Sequence, residues 1–252
     1  MTTPIRILLV GESWTSTSTH FKGWNQFTST MYQEGHAAFR DALGTDEFTL
    51  THLPAHAAAS EFPATLDELN VYDVLVLSDI GADTLLLHPD TWLHGLPTVN
   101  RLKLIRDWVE AGGGFAMCGG YLSFSGIGGT ARYGGTPIEE ILPVTISRYD
   151  DRVETPDGVT PEVVEEDHVI LEGVSDPWPI VLGYNRLEAK EGITPLVTAN
   201  QDPFLITGTA GNGRTLAWAT DIGPHWCPQP FIDWPGYARV LRGSMKWLAK
   251  RG

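Results

Sequence analysis

Cys118 stands in the run Ala116-Met117-Cys118-Gly119-Gly120, with small residues two before and two after it. That spacing is what a tight strand-to-helix turn needs, because bulky flanks would collide while the central side chain is thrust outward. A helix starting just after Cys118 would aim backbone N–H groups at the thiol, lowering its pKa and supplying an oxyanion hole with Gly119 and Gly81. The rival reading is a buried apolar cysteine at a strand end, the usual fate of a free thiol. His225, in Gly223-Pro224-His225-Trp226, is the natural base for such a nucleophile, since thiols are activated by an imidazole near in space rather than in sequence. A structural histidine bonding a loop carbonyl is its alternative. Asp221 or Glu12 could orient the ring.

Other polar and aromatic residues gather where apolar runs stop. Gly11, Glu12, Ser13 and Trp14 follow the first run; Ser78, Asp79 and Gly81 follow a later one; Gly119, Gly120 and Tyr121 follow Cys118; and Asp221, His225 and Trp226 come after the last. In an open parallel sheet, ligands bind outside the carboxyl ends of the strands, so this set marks a binding face for a small molecule. Trp14, His20, Trp24, Asp79, Tyr121 and Trp226 together would suit a sugar, although tryptophans also serve as packing. Cys118, His225 and Cys227 with His20 or Glu12 are possible zinc ligands, but His225-Trp226-Cys227 is not a zinc spacing and no metal is expected. No Gly-x-Gly-x-x-Gly or Walker pattern follows the first run, so no nucleotide or other cofactor is expected. Glu165-Glu166-Asp167 reads as a solvated loop.

The elements that must position these residues follow from periodicity. Ile5 to Val10 and Tyr72 to Asp79 are near-continuous apolar runs, as in strands buried on both faces. Phe48 to Leu53 and Phe115 to Cys118 are further strands. Helices are predicted over Thr28 to Leu43, Thr65 to Leu69, Val99 to Glu110 and Trp234 to Ala249. Five glycines between Gly126 and Gly135 mark a loop long enough to cover a site. From Val144 to Asn200 the chain is rich in Pro, Asp and Glu, with short β-prone pieces, which predicts an irregular or antiparallel extension. Gly211-Asn212-Gly213 between two apolar runs is a hairpin signal. Strands alternating with helices predict an α/β fold: a flavodoxin-like three-layer sandwich with a mostly parallel central sheet, in one domain over 1–252.

Composition narrows the function classes. With 252 residues and 42% hydrophobic content the chain can bury a substantial core. A formal net charge of −14 with only 17 scattered basic residues disfavours nucleic acid and anionic lipid as partners. No stretch approaches the roughly 18 apolar residues of a membrane span, and no secretory leader is recognisable at the start. Two distant cysteines are no disulfide framework, so reduced thiols and a cytoplasmic location are expected. The acidic, tryptophan-rich surface is compatible with a homo-oligomer.

The elbow at Cys118 and the His225 loop before the last helix resemble class I glutamine amidotransferases. More closely, Gly11-Glu12-Ser13-Trp14, Leu77-Ser78-Asp79-Ile80-Gly81, Gly119-Gly120-Tyr121-Leu122-Ser123-Phe124, Gly134-Gly135-Thr136-Pro137, Leu182-Gly183-Tyr184-Asn185 and Thr220-Asp221-Ile222-Gly223-Pro224-His225-Trp226 resemble an uncharacterised amidotransferase-like branch related to ThuA-like proteins. The resemblance covers nearly the whole chain. It implies a Cys118–His225 hydrolase acting on a small-molecule amide, with Glu12, Ser13, Trp14, His20, Asp79, Gly81, Gly119, Gly120, Tyr121, Asp221 and Trp226 around it. Two positions depart from the family pattern: Cys227 stands where His-x-Glu triads carry the acid, and Ala116 where the elbow usually has Gly. A carbohydrate-handling ThuA-like protein without a glutaminase triad, and a non-catalytic structural subunit, are the alternatives.

Overall fold

In the computed structural model, which describes residues 3–44 and 46–251, Ile7 to Val10 are buried in the middle of strand β1 (Ile5–Gly11). A strand without polar alternation must be covered on both faces. After it comes a long ribbon, β2 (Ser13–Lys22) and β3 (Asn25–Glu34), paired only with each other. Helix α1 (Ala37–Leu43), strand β4 (Phe48–Leu53) and the short helices α2 (Ala55–Glu61) and α3 (Leu66–Leu69) lead into β5 (Val74–Ser78). Helices α4 (Ala82–Leu86), α5 (Pro89–His94) and α6 (Arg101–Ala111) precede β6 (Gly114–Cys118).

Beyond α7 (Pro137–Ile141) the chain makes short strands, β7 (Val144–Thr145), β8 (Arg152–Val159), β9 (Glu162–Val163), β10 (Val181–Asn185), β11 (Glu188–Ala189) and β12 (Val197–Ala199). The hairpin β13 (Asp202–Ala210) and β14 (Gly213–Trp218) turns through Gly211, at φ +57°. Helices α8 (Gln229–Ile232) and α9 (Pro235–Leu248) finish the fold. The main sheet has the order β4-β1-β5-β6-β14-β13-β12-β9. Pairing from β4 across to β14 is parallel, and β13, β12 and β9 add an antiparallel flank. Helices α6 and α9 both pack on β14, α9 with α1 beside it and α6 with α4 and α7. The α/β architecture, its mostly parallel sheet and the antiparallel extension are therefore as the sequence predicts.

The helix predicted over Thr28 to Leu43 is a correction. Its first part is β3, and only Ala37–Leu43 is helical. Residues 13–34 are rich in Ser and Thr, and β-branched hydroxyl side chains favour an extended ribbon in which they pair across the strands. Thr17 and Thr30 are joined hydroxyl to hydroxyl at 3.2 Å, Thr19 and Thr28 at 3.5 Å. Gly23 makes the turn at φ +65°. The ribbon is exposed almost throughout, so no burial periodicity betrays it.

Helices α3, α5, α6 and α7 carry side-chain caps. Thr65 and Glu68 form a capping box on α3, and the Asn100 side chain accepts from the Lys103 N–H at the start of α6. The glycine-rich loop is present but tied down, with the Asp151 carboxylate accepting from the N–H groups of Ser125 and Gly126 and Asp150 from Gly128. Among the described residues no helix is long and apolar enough to cross a membrane.

Candidate functional site

The adjacent strands β1, β5, β6 and β14 end at one edge of the sheet, and the residues just past them enclose a cavity of about 350 Å³. Glu12, Trp14, Gly35, Asp79, Tyr121, Asp221, Gly223, Pro224 and His225 line it. Two of these, Glu12 and Asp79, hold left-handed backbone at φ +48° and +47°. Non-glycine residues rarely do so, and such strain collects where a side chain must be aimed. Gly11 has φ +107°, and a Cβ there would lie 1.9 Å from the Ser78 carbonyl oxygen, so β1 and β5 meet too closely for any other residue.

Glu12 is buried with its Oε1 hydrogen-bonded to Ser78 Oγ at 2.5 Å. Burial pushes its pKa up to about 8, the Ser78 hydroxyl opposing and the charges of Asp79 and Asp221 adding to the rise. At neutral pH it is mostly the uncharged acid. Asp79 Oδ1 accepts from the Leu122 N–H at 2.7 Å, and its own N–H donates to Ser123 Oγ at 3.0 Å. Burial raises this carboxyl too, against the Leu122 hydrogen bond.

Asp221 Oδ2 accepts from His225 Nδ1 and from the Trp226 N–H, both at 2.8 Å, which closes the loop after β14 on itself. A carboxylate on Nδ1 fixes the tautomer and leaves Nε2 as the free ring nitrogen. The Asp221 hydrogen bond raises the His225 pKa despite partial burial. The His225 side chain remains 50% exposed, so it is open to a ligand. Tyr121 meets the imidazole edge-on, with ring centroids 4.9 Å apart. The Arg152 guanidinium lies 5.0 Å over the Tyr121 ring, and Glu154 accepts from both Tyr121 Oη and Trp226 Nε1. Behind them, buried Asn185 accepts from the Gly120 N–H and donates to Asp151, fixing the turn after β6.

The structure departs from expectation at Cys118. No helix follows it: the chain leaves β6 through turns, with Gly120 at φ +142°. Cys118 is buried and does not line the cavity. Burial pushes its thiol far above the ordinary value, with the Glu12 and Asp221 charges adding to the rise. Among the described residues it makes no hydrogen bond to His225, whose carboxylate-bonded ring faces other groups. Cys227 is also buried, and its thiol donates to the Asp221 carbonyl at 3.1 Å. The elbow spacing here serves close packing: a Cβ on Gly119 would lie 2.4 Å from the Ala219 carbonyl oxygen, and one on Gly120 3.0 Å from Asp79 Oδ1.

The other expected residues divide by place. Glu12, Trp14, Asp79, Tyr121, Asp221 and His225 are brought together at the cavity, with Gly120 against Asp79 and buried Trp226 against Tyr121. Ser13 Oγ accepts from the Ala55 N–H, and Gly81 caps α4 beside Ala131, both supporting the frame. His20 lies apart from them, far along β2, stacked on Phe27 at 4.6 Å and bonded to Ser29, with Trp24 fully exposed at the tip. Among the described residues Cys118, His225 and Cys227 form no ligand set with His20 or Glu12, whereas Glu34, His36 and His52 have ligand atoms that all lie within 4.8 Å of one another. Sequence reasoning passed over Gly35, Glu154, Arg152 and the linking role of Asn185. Gly35 lay inside the wrongly predicted helix, and the other three in the stretch read as irregular.

A family model described as "Putative glutamine amidotransferase" matches residues 6–250. A solved cytoplasmic protein of Salmonella typhimurium is 39% identical, with a TM-score of 0.92 over 96% of this chain and 98% of its own. Another, from Salmonella typhimurium LT2, is also 39% identical at TM-score 0.92, covering 97% and 99%. A ThuA-like protein of Bacteroides uniformis shares the fold at 13% identity and TM-score 0.59, over 98% of this chain and 93% of that one. No curated protein matches the chain.

Proposed function

The chain belongs to the putative glutamine amidotransferase family, and from that premise we propose that its cavity is a general acid–base site for a small, uncharged, hydroxyl-rich molecule, worked by Asp221 and His225 without a cysteine nucleophile. The observation that carries this reading is the 2.8 Å bond from His225 Nδ1 to Asp221, beside a cavity whose other ionisable lining groups are the carboxyls of Glu12 and Asp79 and the phenol of Tyr121. An imidazole held so accepts or returns a proton through Nε2. Glu12, uncharged near neutrality, can donate to a ligand oxygen, while Asp79 can accept from hydroxyls. Trp14 and Tyr121 offer the apolar faces that a sugar-like carbon skeleton covers.

Among the described residues no Lys or Arg lines the cavity. The carboxylate of free glutamine would meet the carboxyls of Glu12, Asp79 and Asp221 there, and the His225 imidazole is already paired with Asp221, so its desolvation is poorly compensated. A cytoplasmic site of action is proposed on the likeness to the two Salmonella proteins named as cytoplasmic.

The test is calorimetric titration with monosaccharides, alditols and glutamine against the wild type, Cys118→Ala, Asp221→Asn and His225→Ala. Hydroxylated ligands should bind wild type and Cys118→Ala alike, and the other two variants about tenfold or more weaker, the loss expected for a hydrogen bond to a charged group. Ammonia release from glutamine that vanishes in Cys118→Ala would restore the thiol mechanism. Absence of binding across the whole panel would favour a structural subunit.

A further inference from the structure

Behind the cavity wall, where β3 runs into α1 alongside the end of β4, Glu34, His36 and His52 bring a carboxylate and two imidazoles together, with one ligand atom of each within 4.8 Å of the others. We propose that these three residues bind a single borderline divalent cation of the zinc class, separately from the acid–base site.

Four observations point there. Among the described residues His36 Nδ1 is buried without a hydrogen-bond partner, a costly state for a polar atom that a metal ion would relieve. His52 Nε2 donates to the Gly11 carbonyl at 2.8 Å, which leaves Nδ1 as its lone-pair nitrogen. Metal-binding histidines are typically oriented by such a bond from the other ring nitrogen. Tyr32 Oη donates to Glu34 Oε1 at 2.8 Å, and Glu34 Oε2 is turned to His36 Nδ1 at 3.6 Å. In a tetrahedral zinc site with bonds near 2.0–2.1 Å, neighbouring ligand atoms stand about 3.3 Å apart, so a small adjustment closes the cage.

The two imidazole rings lie 3.9 Å apart, centroid to centroid, an arrangement in which two protonated rings would repel. Two imidazoles and one carboxylate select zinc, cobalt or nickel over magnesium or calcium, which prefer all-oxygen cages. Three protein ligands leave a position for water. The ion would pin the root of the ribbon to β4. Gly35, between two of the ligands, lines the cavity, but none of the three is needed for the Asp221–His225 pair.

The experiment uses the full chain, stripped with a chelator and dialysed, and titrated with Zn²⁺ in competition with a chromophoric chelator. Co²⁺ serves as a second probe through its four-coordinate absorption bands. One equivalent of Zn²⁺ should bind, the thermal midpoint should rise with Zn²⁺ and not with Mg²⁺, and Glu34→Gln, which keeps the shape of an exposed side chain, should weaken binding about tenfold or more. His36→Ala with His52→Ala should abolish it, circular dichroism verifying the fold. His20→Ala, far along the ribbon, should bind as wild type. Failure of Zn²⁺ to saturate at one equivalent, retention of that equivalent by the double variant, or its loss in His20→Ala would each overturn the proposal.

Discussion

At Glu12 the chain buries a carboxyl within reach of two others, and the strain of that choice falls on protonation. Between its ordinary pKa of 4.5 and its folded value of about 8 the native protein keeps a proton that the unfolded chain gives up. Stability therefore declines as pH rises through this window, by up to about 1.4 kcal/mol per pH unit, and levels off above it. Glu12→Gln should flatten the decline, as read from urea midpoints across pH. His225 has a raised pKa as well, so its contribution is complete below the ordinary 6.5 and fades as pH climbs through the folded value. Asp221→Asn should bring the His225 titration, followed by imidazole NMR, down toward 6.5; an unmoved titration would contradict the pairing. Glu12, Asp79, Tyr121, Asp221 and His225 were legible in the sequence because each follows an apolar run, and the strand-end rule is geometric. The burial of Cys118 away from the cavity lining was not, since small flanking residues serve a nucleophile and a tight backbone crossing equally well.

Among the elements, the joint between β3 and α1 bears most directly on the site. A Cβ on Gly35 would stand 2.6 Å from Glu12 Oε2 and 3.1 Å from the Trp14 ring. Gly35→Ala should displace the buried carboxyl and lower stability by about 1–3 kcal/mol, the cost of overpacking, and it should blunt the pH dependence assigned to Glu12. Chemical denaturation at two pH values reads both effects. Buried strands such as β1 and β5 announced themselves through uninterrupted apolar runs. The β2–β3 ribbon did not, because its order comes from cross-strand hydroxyl pairs and a single glycine turn, neither of which leaves a burial period. The loop holding Asp150 and Asp151 was invisible for a related reason: its carboxylates act on backbone N–H groups more than twenty residues earlier.

For the whole molecule, the ribbon reaches out with Phe21, Trp24, Phe27 and Met31 exposed. Lys22 sits beside the turn, so limited trypsin digestion should cut first after Lys22, with mass spectrometry identifying the fragments. Protection of that bond, together with a mass above 27.6 kDa by light scattering, would show that a second copy covers the ribbon. The charge of −14 adds a long-range field that turns anions away before they reach the carboxyl-lined cavity, an effect that salt should weaken. That cavity takes its walls from the ends of four consecutive neighbours in the sheet, β1, β5, β6 and β14. Strands sit roughly 4.8 Å apart, so the chemical groups stand like teeth on a comb of fixed pitch, about 14 Å from first to last. Mutation can change what each tooth reads, but the ruler against which a ligand is measured belongs to the hydrogen-bonded backbone and stays constant.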